Sequence, residues 1–102
     1  NGKQVRDQVH ASDLASAISH FIENPQKEGV YNFGGGPERA ISVLEGINLL
    51  EKATGKKATI EYGPERLGDR RYDVHDITKF RTHFPSWDYK YSLQDIIEEL
   101  AL

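Results

Sequence analysis

Glycine and proline interrupt this chain of 102 residues at short intervals, and the interruptions limit what it can fold into. A helix ends before a proline or at a glycine, because neither residue continues the α conformation without cost. The breaks are Asn24-Pro25, Gly34-Gly35-Gly36-Pro37, Gly55, Gly63-Pro64 and Phe84-Pro85. Only short elements fit between them, so we predict a mixed α/β fold with short strands and about four helices.

Four segments between the breaks have the apolar spacing of helices. The first carries one apolar stripe, made by Leu14, Ile18, Phe21 and Ile22. Glu45 stands three residues after Ser42, which is the pattern of a capping box, and Gly55 is a natural left-handed stop. The predicted N-terminal caps of the four helices are Ser12, Ser42, Asp76 and Ser92.

Two short strands are predicted, at residues 30–33 and at residues 58–62, and the segment around Val5 is also expected to be extended. Residues 26–29 form a polar turn before the first of these strands. The triple glycine after residue 33 does not meet the dinucleotide fingerprint, because Arg39 stands where the last glycine is needed. We therefore predict a sharp turn with close backbone approach there, and not a cofactor cradle.

Residues 63–76 contain three of the six arginines, Arg66, Arg70 and Arg71. Glycine and proline at positions 63, 64 and 68 exclude a regular helix, so the arginines lie on a loop. A guanidinium group is planar, stays charged and binds two phosphate oxygens at once. One hypothesis is a loop that holds a diphosphate. The alternative is that these arginines are solvated or pair with Glu65, Asp69 and Asp73.

Composition excludes several classes of function. Hydrophobic residues make up 37% of the chain, so the core is thin and some apolar faces are expected to contact another part of a larger protein. A net charge of −3 without a basic block argues against nucleic acid as partner. No apolar run approaches the ~18 residues of a membrane span, and the sequence shows no signal-peptide pattern, so we expect a cytoplasmic protein. Because the sequence starts on Asn-Gly, without methionine, we expect a fragment.

Residues for catalysis or metal binding are not apparent. The chain has no cysteine, and its histidines at positions 10, 20, 75 and 83 lack the spacing of metal ligands. Asp73, His75 and Asp76 come nearest to a cluster, and helix capping by Asp76 explains them more simply. We therefore predict neither a metal site nor catalytic residues in this chain.

Several motifs, taken in order, resemble the C-terminal half of extended short-chain dehydrogenases/reductases that act on nucleotide sugars. They cover essentially the whole chain: Gly2-Lys3-Gln4-Val5-Arg6-Asp7, His10-x-x-Asp13-Leu14, Gly29-Val30-Tyr31-Asn32-Phe33-Gly34-Gly35-Gly36, Ile41-Ser42, Thr54-Gly55-Lys56, Arg66-x-Gly68-Asp69, Asp76-Ile77-Thr78-Lys79 and the link from Trp87 to Leu93. Within that family the chain looks most like the CDP-paratose/tyvelose 2-epimerase type. Related 4,6-dehydratases usually carry a His-Asp pair after the loop glycine, whereas here Asp69 follows Gly68 directly.

The resemblance implies that Arg6 and Arg66 hold the substrate's diphosphate, and that Asn32 and Asp69 contact the phosphate or the ribose. Arg70 and Arg71 are not implied as ligands. The family's NAD fingerprint and its Tyr-x-x-x-Lys pair are both missing, since no lysine stands four residues after any tyrosine.

We therefore expect residues 1–102 to be a single substrate-binding C-terminal domain or fragment that lacks the N-terminal NAD-binding Rossmann half. The intact enzyme would use NAD, which this chain alone would not bind. The expected partners are a nucleotide-diphosphate sugar, the missing half and, through uncovered surfaces, a second copy of the chain. The alternatives are a stand-alone, non-catalytic nucleotide- or anion-binding module and an inert structural piece.

Overall fold

The computed structural model describes residues 1–25 and 29–102, so most of the turn predicted for residues 26–29 lies outside the described residues. Its sheet has three short strands, β1 (Val5–Asp7), β2 (Ala40–Ser42) and β3 (Tyr72–Asp73), in the order β2-β1-β3. β1 runs antiparallel to β2 and parallel to β3. The central strand therefore joins three parts of the chain that are distant in sequence.

The described residues also form four α-helices: α1 (Ala11–Glu23), α2 (Val43–Thr54), α3 (Thr78–His83) and α4 (Leu93–Leu100). A short 3₁₀ turn, Pro37–Arg39, leads into β2, and α2 packs against α4. The described residues therefore confirm the mixed α/β class with four helices. Two of the predicted strands, however, are not strands in the structure.

The strands predicted at residues 30–33 and 58–62 are wrong. Among the described residues, neither segment pairs with a neighbouring strand, and the second is exposed along its whole length. An extended segment becomes a strand only when a neighbour accepts its backbone hydrogen bonds. β2 and β3 were missed because two or three residues are too few to show an alternating pattern.

The helix caps follow the sequence with two corrections. Ser42 with Glu45 and Ser92 with Asp95 form complete capping boxes, and Gly55 ends α2 in the left-handed conformation. The predicted cap at Ser12 is wrong: the ring Nδ1 of His10 accepts the backbone N–H of Ser12 at 3.0 Å and caps α1 instead. The predicted cap at Asp76 is one residue off: Ile77 is the N-cap of α3 and makes no side-chain cap, while the Asp76 carboxylate, one position earlier, accepts the Thr78 N–H at 2.9 Å.

The core is mainly aromatic. Its buried members are Ala17, Ile77, Phe80, Phe84 and Trp87, and Phe21, Tyr31, Phe33 and Tyr89 pack against them. Most of these rings meet edge to face; the Phe80 and Trp87 centroids, for example, lie 5.3 Å apart. Edge-to-face contacts add stability beyond the burial of area. This cluster holds α1, α3 and the links around them in one unit.

Helix α1 has two apolar faces, and only one of them is covered. Ala17 faces the core, while Leu14, Ile18 and Ile22 of the predicted stripe are 41%, 51% and 70% exposed. The molecule is also flat, measuring 48 × 33 × 17 Å, with a radius of gyration of 15.9 Å. A compact domain of this length would have a radius of about 13 Å. The flat shape and the few buried side chains agree with the small hydrophobic core that the composition predicted.

Candidate functional site

The candidate site begins at β1, where Arg6 and Asp7 point to opposite faces because side chains alternate along a strand. Arg6 Nη2 donates to Asp69 Oδ1 at 2.8 Å, and Arg6 Nη1 donates to the Val5 carbonyl oxygen at 2.8 Å. Arg66 Nη2 lies 4.0 Å from Asp69 Oδ2. Two guanidinium groups from distant parts of the chain therefore converge on one carboxylate.

A groove with a volume of about 530 Å³ adjoins this cluster. Apolar side chains from α2 and from the loop before the arginines contribute to its lining: Val43, Leu44, Ile47, Ile60 and Tyr62. The charged residues that line it are Lys3, Glu61, Glu65, Arg66, Asp69, Arg70 and Arg71. An elongated ligand with one apolar part and one anionic part matches this lining.

The ion pairs of Arg66 and Arg70 are weak in energetic terms. Arg66 is 85% exposed, and Arg70 Nη1 lies 3.8 Å from Asp73 Oδ1 in an equally open position. Exposed ion pairs of this kind typically contribute about 0–1 kcal/mol. These are the pairs that the alternative interpretation predicted. Because they are weak, an anion that offers several oxygens can compete for the same guanidinium groups.

The structure brings together three of the four predicted site residues. Arg6, Arg66 and Asp69 form the cluster, and of these Arg66 and Asp69 also line the groove. Asn32 is exposed in the 29–36 segment and belongs neither to the cluster nor to the lining of the groove. Lys3, Arg70 and Arg71 do line it, although the motifs did not single them out as ligands. Lys3 approaches because the N–H of Leu44 donates to the Gly2 carbonyl oxygen at 3.0 Å. That contact has no signal in a single sequence.

Beneath the site, on the other face of β1, the Asp7 carboxylate is a buried junction, 4% exposed. Asp7 Oδ2 accepts the backbone N–H groups of Gly36 and His75, each at 3.0 Å, and its two oxygens lie 3.0 and 3.1 Å from His75 Nδ1. Burial alone would raise the pKa of Asp7, but these hydrogen bonds outweigh it and hold the pKa below its ordinary value. Asp7 therefore joins β1, the glycine loop and the segment after β3.

The glycine loop makes the close backbone approach that was predicted. A Cβ atom at Gly35 would lie 1.8 Å from the Gln8 carbonyl oxygen, and one at Gly34 would lie 2.4 Å from Asp7 Oδ2. Tyr89 secures the loop from the other side, since its hydroxyl donates to the Gly34 carbonyl oxygen. The loop faces protein atoms at the end of β1, so these glycines serve packing.

Residues 1–25 and 29–102 contain neither a cluster of metal-ligating side chains nor a helix that could span a membrane. No group of three or more histidine, aspartate or glutamate side chains is placed to hold a metal ion there. Asp73, His75 and Asp76 instead have three separate partners, Arg70, Asp7 and Thr78. Over the same residues, no helix has the length and apolar character needed to cross a bilayer.

No family model matches the chain. It is 33% identical to UDP-glucose 4-epimerase 4 of Oryza sativa subsp. japonica over 103 residues, which cover 97% of this chain and 27% of that protein. It is 34% identical to CDP-paratose 2-epimerase of Salmonella typhi over 102 residues, covering 98% of this chain and 30% of that protein.

Comparison with solved structures also finds a nucleotide-sugar epimerase. The solved structure of UDP-glucose 4-epimerase from Bifidobacterium longum, in complex with NAD+ and UDP, superposes with a TM-score of 0.81 at 32% identity, covering 97% of this chain and 29% of that one. The chain thus spans less than a third of the length of each of these relatives. The matches support the family that the motifs indicated, the NAD-dependent nucleotide-sugar epimerases of the extended short-chain dehydrogenase/reductase type.

Proposed function

We propose that this chain is the part of an NAD-dependent nucleotide-sugar epimerase that binds the substrate's diphosphate, and that it is not catalytic by itself. The observation that carries the proposal is the convergence of Arg6 and Arg66 on Asp69 beside the groove. Arg6 and Asp69 are 63 positions apart in sequence, so the fold and not local pairing brings them together. The UDP bound in the Bifidobacterium longum relative supports a ligand of this chemical class.

Asp69 has a specific part in this proposal. In the free protein its carboxylate lies between two cations and keeps their guanidinium groups near each other, which lowers the entropy lost when both bind one ligand. A diphosphate then offers oxygens to both arginines in place of Asp69. The released carboxylate is left to accept hydrogen bonds from hydroxyl groups, such as those of a ribose.

The residues present do not fit NAD. The glycine loop lacks the dinucleotide fingerprint, and its glycines are packed against Gln8 and Asp7. The chain also lacks a Tyr-x-x-x-Lys pair. In our proposal the hydride and proton transfers of the intact enzyme therefore belong to residues outside this sequence.

Two features of the fold support a role as one part of a larger enzyme. The stripe of Leu14, Ile18 and Ile22 is partly exposed. Full burial stabilises a side chain of this kind by about 1.5–3 kcal/mol relative to full exposure, so each of the three lacks part of that stabilisation. The molecule is only 17 Å thick along its shortest axis, which leaves little interior. We propose that the cofactor-binding half of the enzyme covers this stripe.

Calorimetric titration with UDP and with CDP tests the proposal. We expect weak binding whose affinity falls as salt rises, because exposed charges are screened. Arg66→Ala should weaken binding about tenfold or more, since one charged hydrogen-bond partner is worth ~1.5–3 kcal/mol. Arg81→Ala is the matched control, because Arg81 lies on α3, contacts Asp88 and does not line the groove. Equal losses from both variants would show diffuse charge attraction and no site.

The ion pairs of Asp69 and Asp73 favour one competing interpretation, in which the arginines only stabilise the loop. In that case neither nucleotide binds, and Arg66→Ala lowers stability without any effect on ligands. A stand-alone binding module would bind UDP or CDP just as the proposed part of an epimerase would, so titration does not separate these two. The mass of the natural protein separates these two: it equals 11.6 kDa for a module and is well above it for an enzyme.

A further inference from the structure

We infer that His75 is a positioning residue of the diphosphate site: through Asp7 it fixes β3 along β1 and thereby holds Arg6 against Asp69. This inference rests on the proposed function. His75 does not line the groove, and its partner Asp7 is on the face of β1 opposite to Arg6. Any effect of His75 on the ligand is therefore indirect.

The pairing of β1 with β3 sets the approach of Arg6 to Asp69. β3 has two residues, and it pairs in parallel with Val5 opposite Tyr72 and Arg6 opposite Asp73. Asp69 lies just before β3 on the same stretch of chain, so a shift of β3 along β1 carries Asp69 away from the Arg6 guanidinium. So short a ladder supplies few hydrogen bonds to prevent such a shift.

The Asp7 carboxylate continues that pairing beyond the end of the ladder. At one end of the pair, the Val5 N–H donates to the Arg71 carbonyl oxygen at 2.8 Å. At the other end, Asp7 accepts both the backbone N–H and the ring Nδ1–H of His75. A carboxylate only accepts hydrogen bonds, so Nδ1 carries a proton in this contact. Because Asp7 is buried, this charged hydrogen bond is stronger than a surface contact.

The loop that carries Arg66 has few other attachments. Residues 56–71 are all exposed and contain neither helix nor strand. Within the loop, the Asp69 N–H donates to the Arg66 carbonyl oxygen at 3.2 Å, which sets those two residues relative to each other. The place of this turn relative to Arg6 then depends on the segment that follows it, where Asp7 and His75 meet. The His75 ring is therefore coupled to the spacing of the two arginines.

Three variants of the whole chain test the inference by titration with UDP. His75→Ala removes the ring and should weaken binding by roughly three- to tenfold. This is less than the effect of losing a charged hydrogen-bond partner of the ligand itself, because His75 acts on the ligand only through Asp7. His75→Asn should restore affinity to within about twofold, because its side-chain amide places a donor where Nδ1 was. His83→Ala is the control: it removes a histidine whose Nδ1 is hydrogen-bonded to the Tyr31 hydroxyl group at 2.7 Å, away from β1 and β3. It should leave the affinity unchanged.

The inference is overturned if His75→Ala binds UDP as the parent does, if His75→Asn binds as weakly as His75→Ala, or if His83→Ala loses as much. A second measurement does not depend on binding. In the free chain, the side-chain N–H signal of Arg6 in NMR spectra should shift and exchange faster with water in His75→Ala, and stay unchanged in His83→Ala. If the parent fails to bind UDP, the proposed function fails, whereas an unaltered Arg6 signal in His75→Ala refutes the positioning itself.

Discussion

Replacing Asp13 should destabilise this fold more than any surface change, because Asp13 is a charged group only 1% exposed. It lies in the first turn of α1, where the helix dipole favours a negative charge. Asp13 Oδ1 accepts the backbone N–H of Lys90 at 2.9 Å, and Oδ2 accepts that of Tyr91 at 3.2 Å. Asp13 therefore fastens the link before α4 to α1.

Asp13→Asn keeps the size of the side chain but presents an NH2 group to one of those two N–H donors. One buried donor then lacks an acceptor, which costs about 1–3 kcal/mol, and the other hydrogen bond loses its charge. We expect a total loss of about 2–4 kcal/mol in the free energy of unfolding. Domains of this size are stable by about 5–15 kcal/mol, and a thin core favours the low end of that range.

Urea unfolding followed by the fluorescence of Trp87 measures this change, because Trp87 is the single tryptophan and is buried. Ser92→Ala is the control, since it removes an exposed helix cap and should cost only about 1 kcal/mol. A free energy of unfolding for Asp13→Asn within about 0.5 kcal/mol of the parent would refute the reasoning. It would mean that water reaches the two N–H groups and replaces the carboxylate.

Two further predictions concern acid stability and self-association. The ionised form of Asp7 is favoured in the folded state, so its stabilising effect is complete above its unfolded pKa of about 3.9 and is lost as the pH falls through the lower folded pKa. Asp7→Asn should therefore be less stable at pH 6 and lose less stability between pH 5 and pH 3, as measured by urea unfolding; equal acid slopes in both proteins would contradict this. Through the exposed stripe the isolated chain should self-associate in sedimentation runs, and Ile18→Glu should shift it toward monomer, whereas Glu23→Gln on the same helix should not. A parent that is monomeric at all concentrations would overturn the second prediction.

The helices of this fold were predictable from the sequence because their signals are local. Ser42 with Glu45, the stop at Gly55 and the turn before α3 all depend on residues within one or two turns of each other. The cap of α1 was missed because a histidine ring acted as the acceptor in place of the usual hydroxyl at Ser12. The strands failed for a different reason: their existence depends on partners far along the chain.

The candidate site was predictable only in part. The arginine fork and the motif resemblance pointed to Arg6, Arg66 and Asp69, and the fold brings these three together. The role of Asn32 in ligand binding remains a prediction, and Asn32 is not among the residues that line the groove. The contact between Asp7 and His75 had no sequence signal, because 68 positions separate the two residues and neither belongs to a recognisable pair.

The exposed loop at residues 56–71 has a practical consequence for handling the protein. It contains five basic residues, Lys56, Lys57, Arg66, Arg70 and Arg71, on a stretch that is open to solvent and contains neither helix nor strand. Trypsin cleaves after such residues where the backbone is accessible, so brief digestion should cut here before it cuts the helices. Cleavage would separate α2 from α3 on a gel. Because the same arginines line the groove, resistance of this loop to trypsin is a direct readout of an occupied groove, obtained without labels or mutations.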